Sequence, residues 1–452
     1  MTINFNSGTY FLPGTANVGR LGNVTFGING GDVIWGGARW WARWGYTINV
    51  TAGSFTIGSG RFDGVDYVND YPCVVNISGG VFQMGAGGWG MANKVTATQP
   101  VTTNQTGGEA NIGVVAAPNA TVGSSANLTI GAASSDQVAS YNLSAGVLRV
   151  AGTMAAGGAP ASGSNRFNWT GGRLNARTIV TANLTGNTVA NTLVQDGATT
   201  ILSPGDTYNS QVFSGKTDVT GDYTLTTGKL AIGIGSAVQA NSYHDTPSEY
   251  DTVAVSGAVT LGAGAKLDVT LNNGFVPNNA TSFTILTAGS IGGTATFSNL
   301  SGGRIILTGG DSFAVTINST SVVLNDYQPA LIGNDYSTWA TANGIGGEPF
   351  GGDFDKDGIS NGVEYALGKN PTTSSQPPGV LTGNTITFTK GADAIANDDV
   401  SWIIETSETL ATGSWIDAVI QSNTNDDPTI SYTFTPGTPA KKFARLKVVQ
   451  VP

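Results

Sequence analysis

A short acidic segment of the sequence has the residue types and spacing of a calcium-binding loop. Over twelve positions it carries aspartates at positions 1, 3 and 5, a glycine at position 6 and a glutamate at position 12. Calcium takes about six to eight oxygen ligands, and a loop that wraps around the ion brings alternate residues onto it. Without a metal the carboxylates would repel one another, although a solvated acidic turn is the alternative. The predicted ligands are Asp353, Asp355, Asp357, Ile359 (through its backbone carbonyl), Asn361 and Glu364.

Two short helices are predicted on either side of this loop. Upstream, Asp335 can cap a helix over residues 336–342. Downstream, a helix over 362–367 would end at Gly368, because glycine adopts the left-handed conformation that closes helices. We therefore expect residues 328–378 to form a calcium-binding hinge.

A cluster of aromatic residues near the start of the chain is a second candidate site. Exposed aromatic rings offer a large contact area at a low cost in side-chain entropy, so they suit sugar binding or a subunit contact. The same rings could instead cover the open end of a repetitive fold. The candidate glycan or subunit contacts are Trp35, Trp40, Trp41, Trp44 and Tyr46.

The only histidine, His244, stands beside several carboxylates in the segment 243–251. Such a group could support acid–base chemistry. Proline and serine within the segment favour a loop between strands, and no nucleophile motif accompanies it. We expect a solvated loop there and assign no catalytic residue.

The composition excludes several classes of protein. Of the 452 residues, 65 are glycine and only 11% are charged, while 40% are hydrophobic. Low charge with this hydrophobicity is atypical of disorder, and the abundant Gly, Thr, Asn and Ser disfavour long helices. The net charge of −10 argues against nucleic acid and against an anionic membrane surface. No apolar run is long enough for membrane insertion, and the single cysteine, Cys73, forms no internal disulfide.

A short phrase recurs along the first part of the chain: an aromatic or β-branched residue, Asn, an apolar residue, Ser or Thr, then a small residue and Gly. Asn before a glycine corner can stack between successive coils of a repetitive β-structure, and the glycine allows the positive φ of the corner. The same asparagines also fit the N-glycosylation sequence, so a glycoprotein is an alternative explanation of part of the pattern. The asparagines of the four clear copies are Asn49, Asn76, Asn142 and Asn168, with a weaker copy at Asn299. The spacing of 26 to 27 residues within each pair of copies predicts one coil of a β-solenoid.

The last part of the chain has a different pattern. Alternating apolar and polar residues predict strands at 385–389, 401–405, 430–434 and 443–448, separated by Asn-Asp and Pro-Gly turns. We expect residues 379–452 to form a small β-sandwich.

Three resemblances follow from these segments. The phrases between residues 20 and 325, most clearly 203–286, resemble the autotransporter-associated β-strand-repeat proteins, which are large secreted bacterial proteins with architectural repeats. The loop and its flanks resemble dockerin and thrombospondin type 3 calcium repeats. Dockerins carry two loops and this chain has one, so cohesin docking is not implied. The C-terminal strands are similar to terminal modules of large bacterial surface proteins.

Together these observations predict an all-β protein in which a β-solenoid (β-helix) stalk precedes the calcium-loop hinge and the β-sandwich. The expected segments are an N-terminal cap or assembly segment (1–46), the solenoid (47–327), the hinge (328–378) and the C-terminal module (379–452). The expected function is that of a secreted, calcium-stabilised structural or adhesive surface protein of bacteria, which self-associates into a filament, fibre or sheath. Two alternatives are a protein that binds a surface polysaccharide through the aromatic cluster, and a β-helix polysaccharide lyase or hydrolase. The start of the sequence lacks the pattern of a signal peptide, so we expect a mature or trimmed form.

Overall fold

The computed structural model describes the chain except residues 13–15, 19–23, 37–38, 43–44, 59–60, 64–71, 86, 92–98, 115–125, 132–137, 159–164, 330–334, 375–377, 419–426, 436, 438–441 and 452. The described residues are mostly β-strand, which confirms the all-β prediction. They divide into two compact units, Met1–Gln328 (unit 1) and Pro329–Pro452 (unit 2). None of the described helices is long and apolar enough to cross a membrane.

The strands of unit 1 are β1 Thr2–Phe5, β2 Thr9–Leu12, β3 Ala16–Val18, β4 Val24–Trp35, β5 Arg39–Ala42, β6 Tyr46–Ile57, β7 Arg61–Asp63, β8 Cys73–Ile77, β9 Val81–Met84, β10 Trp89–Gly90, β11 Val101–Ile112, β12 Leu128–Ile130, β13 Ala139–Ala156, β14 Asn165–Trp169, β15 Gly171–Val180, β16 Thr185–Gly186, β17 Val189–Ala190, β18 Thr192–Gln195, β19 Thr199–Leu202, β20 Asp206–Tyr208, β21 Gln211–Phe213, β22 Lys216–Thr220, β23 Asp222–Ile234, β24 Thr252–Val255, β25 Ala258–Leu271, β26 Phe283–Thr287, β27 Ser290–Gly293, β28 Arg304–Ile306, β29 Ser312–Ile317 and β30 Ser321–Gln328.

Successive passes of the chain pair in parallel and form three columns of strands. The first column runs β1, β4, β6, β8, β11, β13, β14. The second runs β2, β4, β6, β9, β11, β13, β15, β19, β23, β25. The third runs β3, β5, β7, β10, β12, β13, β15, β22, β24, β26. The predicted N-terminal segment, 1–46, supplies strands to the same columns as the residues that follow it.

Alternation along the strands builds one hydrophobic core inside these columns. Alternate side chains of each strand point to the same side, so aligned passes place their apolar residues in rows. Aromatic rings from the different columns also meet inside this core: Phe82 lies 4.9 Å from Trp89, Trp89 lies 5.9 Å from Tyr141, and Tyr141 lies 6.0 Å from Phe167, measured between ring centroids. Buried aromatic rings contribute large apolar areas, and these geometries add to that stabilisation.

Glycines form the corner between the first and second columns. Gly80, Gly108 and Gly146 all have positive φ, at 61°, 59° and 83°. A Cβ atom on Gly108 would lie 2.6 Å from the carbonyl oxygen of Gly80, and one on Gly146 would lie 2.4 Å from that of Gly108. No side chain fits this approach, so the predicted glycine corner is confirmed.

Beside that corner the asparagines of the repeated phrase stack on one another. The Nδ2 of Asn76 donates to Oδ1 of Asn49 at 2.9 Å, and Asn104 donates to Asn76 at 2.9 Å. Asn142 in turn donates to Asn104 at 2.8 Å, and Asn168 donates to Asn142 at 2.7 Å. The predicted stacking is confirmed, and we call these five residues the asparagine ladder.

Asn299, taken from sequence as a weaker copy, makes different contacts. Its Nδ2 donates to the carbonyl oxygen of Leu267 at 2.7 Å, and its Oδ1 accepts from the backbone N–H of Leu267 at 3.0 Å. The residue bonds the backbone of the preceding pass and is not part of the ladder.

The pairing changes direction at the end of unit 1. Strand β26 pairs antiparallel with β30, β30 with β29, and β29 with β28. An antiparallel group therefore closes the parallel columns at this end.

Unit 2 contains three short helices among its described residues and two three-stranded antiparallel sheets, β31–β32–β35 and β34–β33–β36. Its elements are α1 Tyr336–Ala342, α2 Asn361–Leu367, β31 Gly379–Thr382, β32 Thr385–Thr389, α3 Ala392–Asn397, β33 Val400–Ser407, β34 Ile416–Asp417, β35 Thr429–Thr433 and β36 Phe443–Gln450. All four predicted C-terminal strands are confirmed, with ends that agree within two residues.

One hydrophobic core joins the helices of unit 2 to its sheets. Trp339 and Tyr365, from α1 and α2, belong to the same buried cluster as Phe388 and Trp402, from β32 and β33. The indole N–H of Trp402 donates to the carbonyl oxygen of Ala366 at 3.0 Å. The predicted hinge (328–378) and the predicted module (379–452) thus share one core, so we describe them as a single unit.

Candidate metal centre

The acidic loop lies between α1 and the start of α2, and local capping explains its place. Asp335 accepts a hydrogen bond from the backbone N–H of Thr338 at 2.9 Å, which caps α1 as predicted. Helix α2 ends at Gly368, whose φ of 63° is left-handed. Both helices bury residues in the core of unit 2, so the ends of the loop are held by packing.

Three predicted ligands come together in this loop. One carboxylate oxygen each from Asp353, Asp355 and Asp357 lie within 4.8 Å of one another. Oxygens at such separations could coordinate one cation, because Ca²⁺ binds its ligands at about 2.3–2.6 Å. Glu364 lies outside this group of three.

Hydrogen bonds inside the loop orient the aspartates. The backbone N–H of Gly358 donates to Asp353 Oδ2 at 2.9 Å, and that of Ile359 donates to Asp357 Oδ1 at 2.8 Å. The backbone N–H of Asp357 donates to Asp355 Oδ1 at 3.1 Å. Gly358 has φ of 91°, which explains the glycine at position 6 of the motif. The other oxygen of Asp355, Oδ2, is buried and accepts no hydrogen bond from the described residues.

The two remaining side-chain ligands occupy the first turn of α2, and both are fully buried. Asn361 serves the loop itself, since its Oδ1 accepts from the backbone N–H of Phe354 at 3.0 Å and its Nδ2 donates to the carbonyl oxygen of Pro349 at 3.2 Å. The carboxylate of Glu364 is buried within unit 2, and Glu364 follows the three aspartates at the last position of the motif. Burial of a carboxylate is costly unless a proton, hydrogen bonds or a cation compensates it.

The aromatic candidates do not form one exposed site among the described residues. Trp35 is 4% exposed and Tyr46 is 2% exposed, and both belong to the core of unit 1. These two rings are therefore core residues and not glycan contacts. Trp40 and Trp41 lie on β5, with side chains that are not described, and Trp44 lies outside the described residues.

The expectation of a solvated loop around His244 is wrong. The histidine is 2% exposed and lies between two aromatic rings, with centroids 4.1 Å from Tyr243 and 4.4 Å from Phe213. The strand pair β20–β21 supplies Phe213, and no sequence pattern linked that hairpin to the histidine.

A buried ion pair on the same side of unit 1 also escaped sequence reasoning. Arg149 is paired with Asp206, and it lies 2.9 Å from a carboxylate oxygen of Glu109. Its guanidinium also donates to Asn111 Oδ1 at 3.1 Å and stacks over the ring of Tyr208 at 5.1 Å. Arg149 and its partners come from three separate strands, β13, β11 and β20, so only the register of the strands brings them together.

Comparison with known proteins gives no assignment for either unit. No family model, no curated protein and no solved structure matches the chain.

Proposed function

We propose that this chain is an extracellular structural or adhesive surface protein of bacteria, in which a β-solenoid stalk precedes a calcium-stabilised unit with a small β-sandwich. In this proposal the three parallel columns of unit 1 are the faces of the solenoid, and copies associate into a filament, fibre or sheath. The protein acts by its architecture and not as an enzyme.

The asparagine ladder is the observation that carries the proposal. Its amides hydrogen-bond to one another over five successive passes, which supports a role in stabilising the stack. Each pass alone cannot bury its apolar face, and stacking supplies the core, as in other repeat architectures. Asparagines that bond to the neighbouring passes contribute to the length and rigidity that a stalk requires.

We place self-association at the edge formed by β1 and β2. Among the described residues, β1 and β2 pair with β4 on one side only. An edge with unpaired backbone groups is a template for a further strand. Phe11 on β2 is 71% exposed, and Tyr10 beside it is partly exposed. An apolar side chain on an open edge favours contact with another copy.

Electron microscopy of matched variants tests this step. We expect Phe11→Lys to reduce the fraction of protein in assemblies, because a charge at an edge strand disfavours edge pairing. Val276→Lys is the control, since Val276 is equally exposed (70%) and lies outside the strands. Monomeric wild-type particles at all calcium concentrations, or equal assembly by the two variants, would refute self-association through this edge.

The second part of the proposal is that Ca²⁺ binds the acidic loop and stabilises unit 2. The grouped oxygens of Asp353, Asp355 and Asp357 supply hard ligands, and α2, which follows them, packs into the core of the unit. Calcium bound there would hold the loop and α2 together. At a free concentration one hundred times its Kd, a ligand adds about 2.7 kcal/mol to the free energy of unfolding.

Calorimetric titration with CaCl₂ tests the site. Asp355→Asn keeps the size of the side chain and removes a charged ligand, so we expect Kd to rise at least about tenfold, or ~1.4 kcal/mol. Glu408→Gln is the matched control, because Glu408 is an exposed carboxylate of the same unit outside the loop. No heat of binding by the wild type at millimolar calcium would refute the calcium site.

A further inference from the structure

A polar cleft on unit 1 lies on the outer side of the second column. It has a volume of about 200 Å³ and opens between β15, β23, β25 and the β20–β21 hairpin. Its walls include Arg173, Asp206, Val212, Asp251, Asp268 and Asn272. None of these residues takes part in the calcium loop or in the asparagine ladder.

The register of the strands creates the cleft. Ala231 on β23 pairs with Asp268 on β25, and Gly233 pairs with Thr270. Alternate residues of a strand share a face, so Ala231 and Gly233 form a low floor beside the longer side chains of Asp268 and Thr270. A Cβ on Gly233 would lie 2.5 Å from Nδ2 of Asn272, so a larger residue there would displace one wall.

Asp251 is a fixed part of that floor. Its Oδ1 accepts from the backbone N–H of Gly215 at 2.8 Å, and its Oδ2 accepts from that of Gly233 at 2.7 Å. A Cβ on Gly205 would lie 2.4 and 2.5 Å from the same two oxygens, so a glycine is required where the carboxyl group passes. The group is buried, and backbone donors hold it in one position, which is the preorganisation that a binding site needs.

The charges of the cleft are matched within the protein. Asp206 is paired with Arg149, and Asp268 lies 3.2 Å from Nζ of Lys229. Arg173 donates to Ser203 Oγ at 2.8 Å and lines the same cleft as Asp251. A strongly charged ligand would meet no excess of the opposite charge here. A neutral ligand rich in hydroxyl groups would meet both donors and acceptors.

Hydrogen-bonding capacity remains on the open side. The side chains of Thr270 and Asn272 make no hydrogen bond to any described residue, and both line the cleft. Val212, which is exposed, adds an apolar surface that the C–H face of a ring could cover. A volume of about 200 Å³ is well above that needed for a single water and is of the size that one small ring requires.

We propose that this cleft binds one ring of a neutral carbohydrate, with Arg173, Asp268, Thr270 and Asn272 as the groups that contact its hydroxyls. The site is independent of the assembly and calcium proposals, because it uses none of their residues. It also differs in place and composition from the aromatic cluster near the start of the chain.

Saturation-transfer NMR on the full chain tests the site with four probes: D-glucose, D-galactose, D-mannose and N-acetyl-D-glucosamine. We expect at least one sugar to bind with a Kd in the millimolar range, or about −4 kcal/mol, which is ordinary for a single ring with few contacts. Thr270→Trp fills the cleft from an exposed strand position and should weaken that binding at least about tenfold.

Thr260→Trp is the control, since Thr260 is an exposed threonine of the same strand, β25, outside the cleft. It should leave the affinity for the sugar within about twofold, a change of ~0.4 kcal/mol. Asp268→Ala should weaken binding in the same direction as Thr270→Trp, because a hydrogen bond to a charged group is lost. A cooperative thermal unfolding transition shows that each variant is folded.

Three results would overturn the proposal. The first is no saturation transfer to any of the four sugars from folded wild-type protein. The second is equal binding by Thr270→Trp and Thr260→Trp, which would place the sugar elsewhere. The third is displacement of a bound sugar by sulfate at constant ionic strength, which would assign the cleft to anions.

Discussion

Replacing Asn104 with alanine tests the contribution of the asparagine ladder. Asn104 donates to Asn76 at 2.9 Å and accepts from Asn142 at 2.8 Å, so Asn104→Ala removes two hydrogen bonds. A net contribution of about 0.5–1.5 kcal/mol per bond gives a loss of ~1–3 kcal/mol in the free energy of unfolding. The groups left behind are partly buried, so water replaces the lost partner incompletely.

The position along the ladder gives an internal comparison. Asn168, at the last described rung, makes one ladder bond, its donation to Asn142 at 2.7 Å. We expect Asn168→Ala to cost about half as much as Asn104→Ala, or ~0.5–1.5 kcal/mol. Asn279→Ala is the control, since Asn279 is exposed and outside the ladder, and surface substitutions usually change stability by less than about 0.5 kcal/mol.

Urea denaturation followed by hydrogen exchange measures these differences. Urea denaturation gives the change in the free energy of unfolding. Hydrogen exchange shows whether protection falls most in β11, which carries Asn104, and in its neighbours β8 and β13. Equal losses for Asn104→Ala and Asn168→Ala would show that neighbouring rungs do not stabilise one another. A loss for Asn104→Ala no larger than that of Asn279→Ala would refute the ladder as a source of stability.

Three further predictions concern the ionisable groups. Asp206→Asn should lower the free energy of unfolding by less than the roughly 3–5 kcal/mol of a fully broken buried pair, because buried Arg149 loses Asp206 but keeps the partly exposed Glu109, and chemical denaturation measures this. Burial raises the pKa of Asp251 from 3.8 to about 7, against the opposing effect of its backbone donors. A carboxyl group whose pKa is raised in the folded state contributes stability that is complete below about pH 4. That stability is lost as the pH rises through about 7, by on the order of 4 kcal/mol. Urea denaturation from pH 4 to 8 should show this loss, and Asp251→Asn should remove that part of the pH dependence of the free energy of unfolding. Chelation of calcium should lower the melting temperature of unit 2 in the wild type and lower it less in Asp355→Asn, as measured by calorimetry.

Local patterns predicted the local structure of this chain well. The caps of α1 and α2 and the four C-terminal strands follow from residue types a few positions apart, and the structure has them. The same reasoning placed Asn49, Asn76, Asn142 and Asn168 in one stack, because a fixed spacing and a glycine corner repeat together.

The pattern failed where the chemistry of the repeat changes. Asn104 was missed because Gln105 follows it, where the other copies have an apolar residue. Gln105 is nevertheless buried, since its Oε1 accepts from the hydroxyl of Tyr141 at 2.6 Å and its Nε2 donates to the carbonyl oxygen of Val147 at 2.9 Å. A polar residue can take a core position when its partners come from the next pass, and the sequence of one pass does not reveal them.

The candidate sites divide in the same way. Asp353, Asp355 and Asp357 could be predicted because a single loop carries all three. The cleft could not, because Arg173, Asp251 and Asp268 meet only through the register of strands far apart in sequence. Burial of Trp35 and Tyr46 could not be foreseen either, since an aromatic cluster in sequence does not show which rings face the core.

The uneven spacing of the ladder has a consequence for how such a chain can change over evolution. Neighbouring rungs are 26 to 28 residues apart, except Asn104 and Asn142, which are 38 residues apart without loss of the hydrogen bond. Extra residues between passes cost little, because the entropy of closing a loop grows only slowly with its length. Segments can therefore be inserted or deleted between rungs while the strands keep their alignment. Such a chain can gain new surface loops one at a time while its buried strands stay unchanged.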